Sequence, residues 1–354
     1  MDKCDYLYNK PQIKNKYLNK FYKDLQNGHK MIKSTKVIIE TVKIESNFDT
    51  TYIPNEIYHF IKNETGITYK VSANVNSRNI NLFFTCYDNI KQDEIFYYAN
   101  YSLLVIYLLT INSKNQCSKQ LDIKIYLTPF KKILPKDINK ILGPNEVNTG
   151  FSNIGCRNKS EIVIYRKEEW FKVLIHELFH NFNLDFALID NSYCREKLKG
   201  ILKLDINYEI NETYCEIWAR IILTLISSDL KSENYSDFKK IFGTLIIDEI
   251  FFSMQQGVKI LKMVDRVDNY KEDTNAYAYY VLTSGLMVNY AYFIEWCDKN
   301  NNPIFNFNKT KKSYSSFCDL IINSCDDITY KTIISCLYKI KSTPTLRMTK
   351  FDIL

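Results

Sequence analysis

The chain has 354 residues, of which 46% are hydrophobic and 25% charged, and its formal net charge is +7. This length suits one large domain or two lobes, and the balance of apolar and charged residues excludes a disordered chain. The positive charge is spread along the chain, as on a solvated lysine-rich surface, so no nucleic-acid partner is expected. Abundant Lys, Asn, Ile, Tyr and Phe are typical of an AT-rich genome, such as that of a large DNA virus.

Ten cysteines are scattered along the chain without any Cys-x-x-Cys pair. This pattern predicts reduced, mostly buried thiols, and neither a disulfide framework nor a cysteine zinc site. The N-terminal stretch lacks an apolar signal-peptide core, and no run of about 18 apolar residues follows it. We therefore expect a cytoplasmic protein without a membrane anchor, located for a viral chain in the host cytoplasm or the virion. The oligomeric state is not indicated.

The first half of the chain predicts an α+β lobe. Residues 34–45, 69–88 and 121–130 alternate apolar with polar side chains and are rich in Ile, Val, Tyr and Phe, as strands are. Residues 93–112 form a mostly apolar stretch of about five helical turns. Strands on both sides of such a helix predict a mixed sheet with the helix packed on it.

Residues 133–155 concentrate Pro, Gly and Asn and are predicted to form a loop. A short strand, residues 161–166, and a helix, residues 168–183, are predicted to follow. The rest of the chain is mainly helical, because apolar residues recur there at three- and four-residue intervals. These helices are predicted at residues 210–230, 236–267, 274–297 and 327–342. The predicted division is an α+β lobe over residues 1–190 and a helical lobe over residues 191–354, with a soft boundary.

The helix at 168–183 contains the pattern His176-Glu177-Leu178-Phe179-His180, which holds two of the four histidines in the chain. Residues four apart share a helix face, so His176 and His180 can bind one metal ion together. Glu177 borders that face and can take a proton from an attacking water. The alternative is a chance register of polar residues on an amphipathic helix.

A catalytic zinc site needs a third protein ligand and an open position. No histidine follows His180, and Phe186 stands where metzincins place their third ligand. The third ligand must therefore be a carboxylate. Glu212 and Glu216 share one face of the next predicted helix, and Glu209 is a further candidate.

Over residues 161–221 the chain resembles the gluzincin clan of zinc metallopeptidases, in which His-Glu-x-x-His is followed by Asn-Glu-x-x-x-Glu on a later helix. This resemblance implies a zincin-like fold and a Zn²⁺ cofactor bound by His176, His180 and Glu212. It also implies that Glu216 holds a ligand histidine by a hydrogen bond, although Glu216 remains an alternative ligand. Glu177 would then be the catalytic general base.

The thermolysin-like families of that clan use a later histidine to stabilise the transition state, and this chain has none. A tyrosine hydroxyl can donate to the developing oxyanion instead. Residues 274–297 supply four candidates, Tyr277, Tyr279, Tyr280 and Tyr290, of which Tyr279 is the choice. Arg220 is a weaker candidate.

The strand at 161–166 occupies the place of the zincin edge strand, which binds an extended peptide by adding it to the sheet. It could equally be an ordinary buried strand. The loop at 148–153 could contact the backbone of the substrate. The expected partner is a peptide or protein substrate.

The sequence therefore predicts a zinc metallopeptidase with Glu177 as general base and Tyr279 as oxyanion donor. The alternative is a catalytically inactive zincin-like protein with a binding or structural role.

Overall fold

A computed structural model describes residues 10–44, 51–137, 139–267 and 269–353. The fold is mixed α+β, with an open six-stranded mixed sheet and twelve helices among the described residues. The chain divides into two compact units. An α+β unit contains Lys23–Lys131 and Asn148–Leu184, and a helical unit contains Lys132–Val147, Asp185–Ile353 and the described part of Met1–Tyr22.

The helical unit thus includes two segments that the sequence-based division placed in the α+β lobe. The ring of Phe21 lies 5.8 Å from that of Phe305 and 6.3 Å from that of Trp218. Further along, the amide of Leu134 donates to the carbonyl of Pro344. Contacts between residues so distant in sequence leave no local pattern, so a division at one point along the chain did not capture them.

The sheet of the α+β unit has the order β1-β2-β3-β4-β6-β5. Its strands are β1 Ile38–Val42, β2 Ile67–Val75, β3 Arg78–Cys86, β4 Gln120–Leu127, β5 Gly150–Ser152 and β6 Lys159–Ile164. Strands β3, β4 and β6 are parallel, whereas the remaining neighbours pair antiparallel. The predicted strand region 69–88 contains a hairpin, β2 and β3, because Asn76 and Ser77 both adopt positive φ, as a tight hairpin turn requires.

The predicted edge strand at 161–166 is wrong in its position within the sheet. This strand, β6, is second from the edge, and β5 is the edge strand. Strand β5 lies in the segment 148–153 that its Asn and Gly content predicted to be a loop. Gly150 permits the pairing, since a Cβ there would lie 2.8 Å from the carbonyl oxygen of Val163 and 3.0 Å from a methyl group of Val173.

Four helices have most of their length in the α+β unit: α1 Asn15–Ser34, α2 Asn55–Asn63, α3 Gln92–Thr110 and α5 Trp170–Asn181. Helix α3, predicted at 93–112, has most of its apolar side chains buried, and α5 is buried along its whole length. The Trp170 ring, at the start of α5, lies 5.0 Å from the ring of Tyr98 on α3 and 5.8 Å from that of Phe84 on β3. These aromatic contacts fix the first turn of α5 against the sheet and α3.

The helical unit contains α4 Pro144–Val147, α6 Ser192–Leu202, α7 Ile210–Asp229, α8 Tyr235–Val264, a π-helical segment Tyr277–Leu282, α9 Thr283–Val288, α10 Tyr290–Asn300, α11 Lys311–Asp326 and α12 Ile328–Tyr338. Helices α7, α8 and α12 lie where they were predicted. The stretch predicted as one helix at 274–297 is divided between the π-helical segment, α9 and α10. None of the described helices combines the length and the apolar content needed to cross a membrane.

The described residues form two disulfides, Cys117–Cys156 in the α+β unit and Cys194–Cys318 in the helical unit. The prediction of reduced thiols is therefore wrong for these four cysteines, whereas five other described cysteines form no disulfide. Cys4 lies outside the described residues. The partners are 39 and 124 residues apart in sequence, so only the fold brings them together. Disulfides are typical of oxidising compartments, which removes the cysteine argument for a cytoplasmic location.

Candidate metal centre

His176 and His180 lie one turn apart on α5 and converge on one point. Their Nε2 atoms are 3.2 Å apart, and their ring planes are inclined at 70°. Each residue is only 5% exposed. The i, i+4 spacing places both rings on one face of the helix, as the sequence predicted.

This geometry fits a metal ion. Two nitrogen ligands at about 2.0–2.1 Å from a tetrahedral zinc lie roughly 3.3 Å from each other. Without a metal, the same contact requires one imidazole to donate and the other to accept, which depends on their tautomers. His176 and His180 are among the described residues whose ligand atoms lie close enough to hold one ion.

The last turn of α5 is fixed by a buried polar network. The side-chain oxygen of Asn181 accepts hydrogen bonds from the hydroxyl groups of Ser118 and Ser160. The amide of Gly155 donates to the carbonyl of His180 at 3.2 Å. Ser118 and Gly155 each adjoin a cysteine of the Cys117–Cys156 disulfide. The cross-link therefore joins the two segments that hold the end of the histidine helix.

Glu177 is directed toward the edge of the sheet. The hydroxyl of Ser152, on β5, donates to its Oε2 at 2.8 Å and to its carbonyl oxygen at 3.3 Å. The nearby Tyr165 hydroxyl donates to the carbonyl of Tyr52, and burial raises the pKa of Tyr165 well above its usual value. Tyr165 therefore stays neutral at physiological pH.

In the helical unit, Glu212 lies in the first turn of α7 with its carboxylate held on both sides. Tyr279 donates its hydroxyl hydrogen to Oε2 at 3.0 Å, and the side-chain amide of Asn211 donates to Oε1 at 3.1 Å. The carboxylate is partly exposed. These contacts orient the carboxylate, as the outer partners of a metal ligand do.

Glu216, one turn later, is fully buried and forms an ion pair with Arg220, whose Nε lies 3.0 Å from its Oε1. The same guanidinium donates to the hydroxyl of Ser253 and, at 3.0 Å, to the carbonyl of Tyr279. Arg220 thus organises the interior of the helical unit. Glu209 accepts hydrogen bonds from the amides of Asn191 and Asn207.

The four candidate tyrosines differ in their surroundings. Tyr277 is 4% exposed, Tyr280 is buried and donates to the carbonyl of Leu346, and Tyr290 donates to Gln12. Tyr279 is partly exposed, and its hydroxyl contacts Glu212. It lies on the π-helical segment, a geometry that is rare and often found at functional sites.

Within each unit the structure brings together residues that the sequence selected: His176 with His180, and Glu212 with Tyr279. Sequence reasoning missed Ser152 and the Ser118–Ser160–Asn181 network. In the sequence these residues appear only as a serine or asparagine near the end of a strand or helix, which is common in any chain.

Comparison with protein-family models, with curated proteins and with solved structures gave no match to this chain. The chemistry of the site is therefore inferred from its own residues.

Proposed function

We propose that the chain is a zinc-dependent metallopeptidase of gluzincin type with a zincin-like fold. The observation that carries this proposal is the 3.2 Å approach of the His176 and His180 Nε2 atoms, next to a glutamate whose carboxylate is held at the edge of the sheet. Two adjacent neutral imidazoles and a neighbouring base are what a metal-assisted hydrolase requires.

The proposed zinc ligands are His176, His180 and Glu212. The histidine pair is supported by its geometry in the α+β unit, and Glu212 by the Asn-Glu pattern and its hydrogen bonds in the helical unit. A bound zinc would polarise the scissile carbonyl and lower the pKa of the attacking water to about 7.

In this mechanism Glu177 takes one proton from the attacking water as the oxygen bonds to the carbonyl carbon. It then delivers that proton to the leaving amine nitrogen as the C–N bond breaks. Ser152 keeps the carboxylate directed by its hydrogen bond to Oε2. Tyr279 is the proposed donor to the oxyanion, a role that a phenol can perform if its single hydroxyl hydrogen turns from Glu212 to the developing charge.

The proposed substrate is an extended peptide that pairs with the outer edge of β5, the last of the described strands in the sheet order. Strand β5 is the antiparallel edge of the sheet, and Ser152 connects it directly to Glu177. Backbone hydrogen bonds to an edge strand bind peptides with little regard to their side chains.

The alternative is a catalytically inactive zincin-like protein that binds a partner or has a structural role. It shares the metal site with the enzyme but predicts no hydrolysis of any peptide mixture. The complete His-Glu-x-x-His set favours the enzyme, because loss of the glutamate is the simplest way to inactivate such a site.

Metal analysis and peptide cleavage test the proposal together. We expect about one zinc per chain, and Glu177→Gln should retain the zinc while abolishing cleavage of a peptide library. Glu64→Gln, an exposed glutamate of the same unit, is the matched control and should cleave normally. Hydrolysis by Glu177→Gln at the parent rate would show that the mechanism is wrong, and zinc bound without any hydrolysis by the parent would favour the inactive alternative.

A further inference from the structure

Two cavities in the helical unit adjoin each other. One has a volume of about 330 Å³ and the other about 250 Å³, and Lys259, Lys341 and Ser342 line both. The larger cavity is lined mainly by apolar groups, including the side chains of Phe252 and Leu337. Because the cavities share part of their lining, they can accommodate a single ligand with two chemically different ends.

The smaller cavity has a strongly positive lining. Lys259, Lys262, Arg266 and Lys341 line it together with Leu134, Pro135, Met263 and Ser342, and no described acidic residue does so. Other lysines of this unit lie beside carboxylates, as in the ion pairs Lys197–Asp319 and Lys350–Asp248. The cations of the cavity therefore repel one another, and no carboxylate among the described lining residues offsets them.

Burial disfavours the charged form of two of these lysines. Lys259 is 3% exposed, and burial lowers its pKa to about 8. Burial, with the nearby charge of Arg266, also lowers the pKa of Lys262. An anion in the cavity would relieve both effects, since it favours the charged form of each lysine.

Lys259 also builds the wall of the cavity. Its ammonium donates to the side chain of Gln256 at 2.8 Å, to the hydroxyl of Thr343 at 3.2 Å and to the carbonyl of Thr345 at 2.6 Å. The direct donors to a ligand are then Arg266, Lys341 and Lys262, whose ammonium uses one of its three hydrogens for the carbonyl of Ile340 at 2.9 Å. The C-terminal end of α8 lies nearby, but its half charge of about −0.5 offsets only a small part of four positive charges.

We propose that these two cavities bind a phosphate monoester. The phosphate lies among Lys262, Arg266 and Lys341, where a dianion with three acceptor oxygens matches the cluster of donors. The organic group lies in the apolar cavity beside Phe252, Leu337 and Ile340. Neither the zinc site nor peptide hydrolysis is required for this binding.

Calorimetric titration at low salt with phenyl phosphate, inorganic phosphate and phenol tests the proposal. We expect phenyl phosphate to bind most tightly, inorganic phosphate more weakly and phenol least, because only the ester uses both cavities. Arg266→Gln and Lys341→Gln should each weaken phenyl phosphate binding by about tenfold, as expected for the loss of a charge-assisted hydrogen bond.

Lys240→Gln is the matched control, since Lys240 is exposed in the first half of α8, away from the residues that line the cavities, and the substitution removes the same charge. It should leave the affinity unchanged, and circular dichroism should show that all variants are folded. If Lys240→Gln weakened phenyl phosphate binding as much as the other two substitutions, net charge alone would explain their effect, and the proposal would be overturned. Equal affinity for the ester and inorganic phosphate would overturn the role of the apolar cavity, and no binding of either would overturn the site.

Discussion

The hydroxyl of Ser152 donates to Oε2 of Glu177 at 2.8 Å and also to the backbone carbonyl of the same residue. One side chain of edge strand β5 thus holds both the carboxylate and the main chain of the proposed general base. A peptide that pairs with β5 would therefore be bound in a fixed relation to Glu177.

Replacing Ser152 by alanine should lower kcat about tenfold without changing the zinc content. A hydrogen bond to a charged group contributes roughly 1.5–3 kcal/mol, and its loss would leave the carboxylate free to rotate away from the water. Steady-state kinetics with metal analysis measures both quantities. Ser152→Thr keeps the hydroxyl and should retain most of the activity, whereas unchanged kcat in Ser152→Ala would contradict the positioning role.

Tyr279→Phe should weaken zinc binding by about 10- to 100-fold, because Tyr279 donates to Glu212 and partners of metal ligands typically have effects of this size. Competition with a chelator measures the affinity. If the hydroxyl also stabilises the oxyanion, kcat should remain about 100-fold lower at saturating zinc.

Tyr292→Phe is the control for this substitution, since Tyr292 is 50% exposed. It should change neither quantity. A Tyr279→Phe variant with normal zinc affinity and normal kcat would remove Tyr279 from the site altogether.

The helix that carries His176 and His180 could be predicted because its signals are local: apolar residues recur at helical spacing, and the two histidines lie four residues apart. Helix α7 and strand β6 were predictable for the same reason. The edge strand β5 was not, because its pairing depends on the missing side chain of Gly150 next to Val163. Composition signals a loop there, and only the tertiary contact makes it a strand.

The disulfides were missed for a related reason. Cys117 and Cys156 are 39 residues apart, and no local motif marks them as partners. The same distinction applies to the candidate site. The spacing of residues along the chain predicted the candidate ligands, whereas the contacts of Ser152 with Glu177 and of Tyr279 with Glu212 depend on how distant segments pack.

The two candidate ligands on α7, Glu212 and Glu216, differ in their partners, because Glu216 forms a buried ion pair with Arg220. We expect Glu216→Gln to retain zinc, since its carboxylate is paired with Arg220. Glu212→Gln should lose more affinity than the roughly 10- to 100-fold caused by loss of an outer partner. Metal analysis after dialysis distinguishes the two, and the opposite result would make Glu216 the ligand.

Arg220→Ala should lower the free energy of unfolding by about 3–5 kcal/mol, because it leaves the buried carboxylate of Glu216 without its cation. Urea titration measures this loss. If the variant is as stable as the parent, the ion pair is not a structural element and Arg220 returns as an oxyanion candidate.

Removing the Cys117–Cys156 disulfide should affect both stability and metal binding. Replacing both cysteines by serine should lower the free energy of unfolding by about 3–4 kcal/mol for a loop of this length. It should also weaken zinc binding by about tenfold, because Ser118 and Gly155 hold the last turn of the histidine helix through hydrogen bonds to Asn181 and His180.

The second disulfide provides the control for this effect. Replacing Cys194 and Cys318 by serine should also lower stability, but the zinc affinity of the folded protein should not change, since both cysteines lie in the helical unit and Ser118 and Gly155, which hold the end of α5, lie in the α+β unit. Chelator competition below the unfolding transition measures the affinity of both double variants. Equal zinc affinity in the two would mean that the Cys117–Cys156 bond stabilises the fold without positioning the histidines.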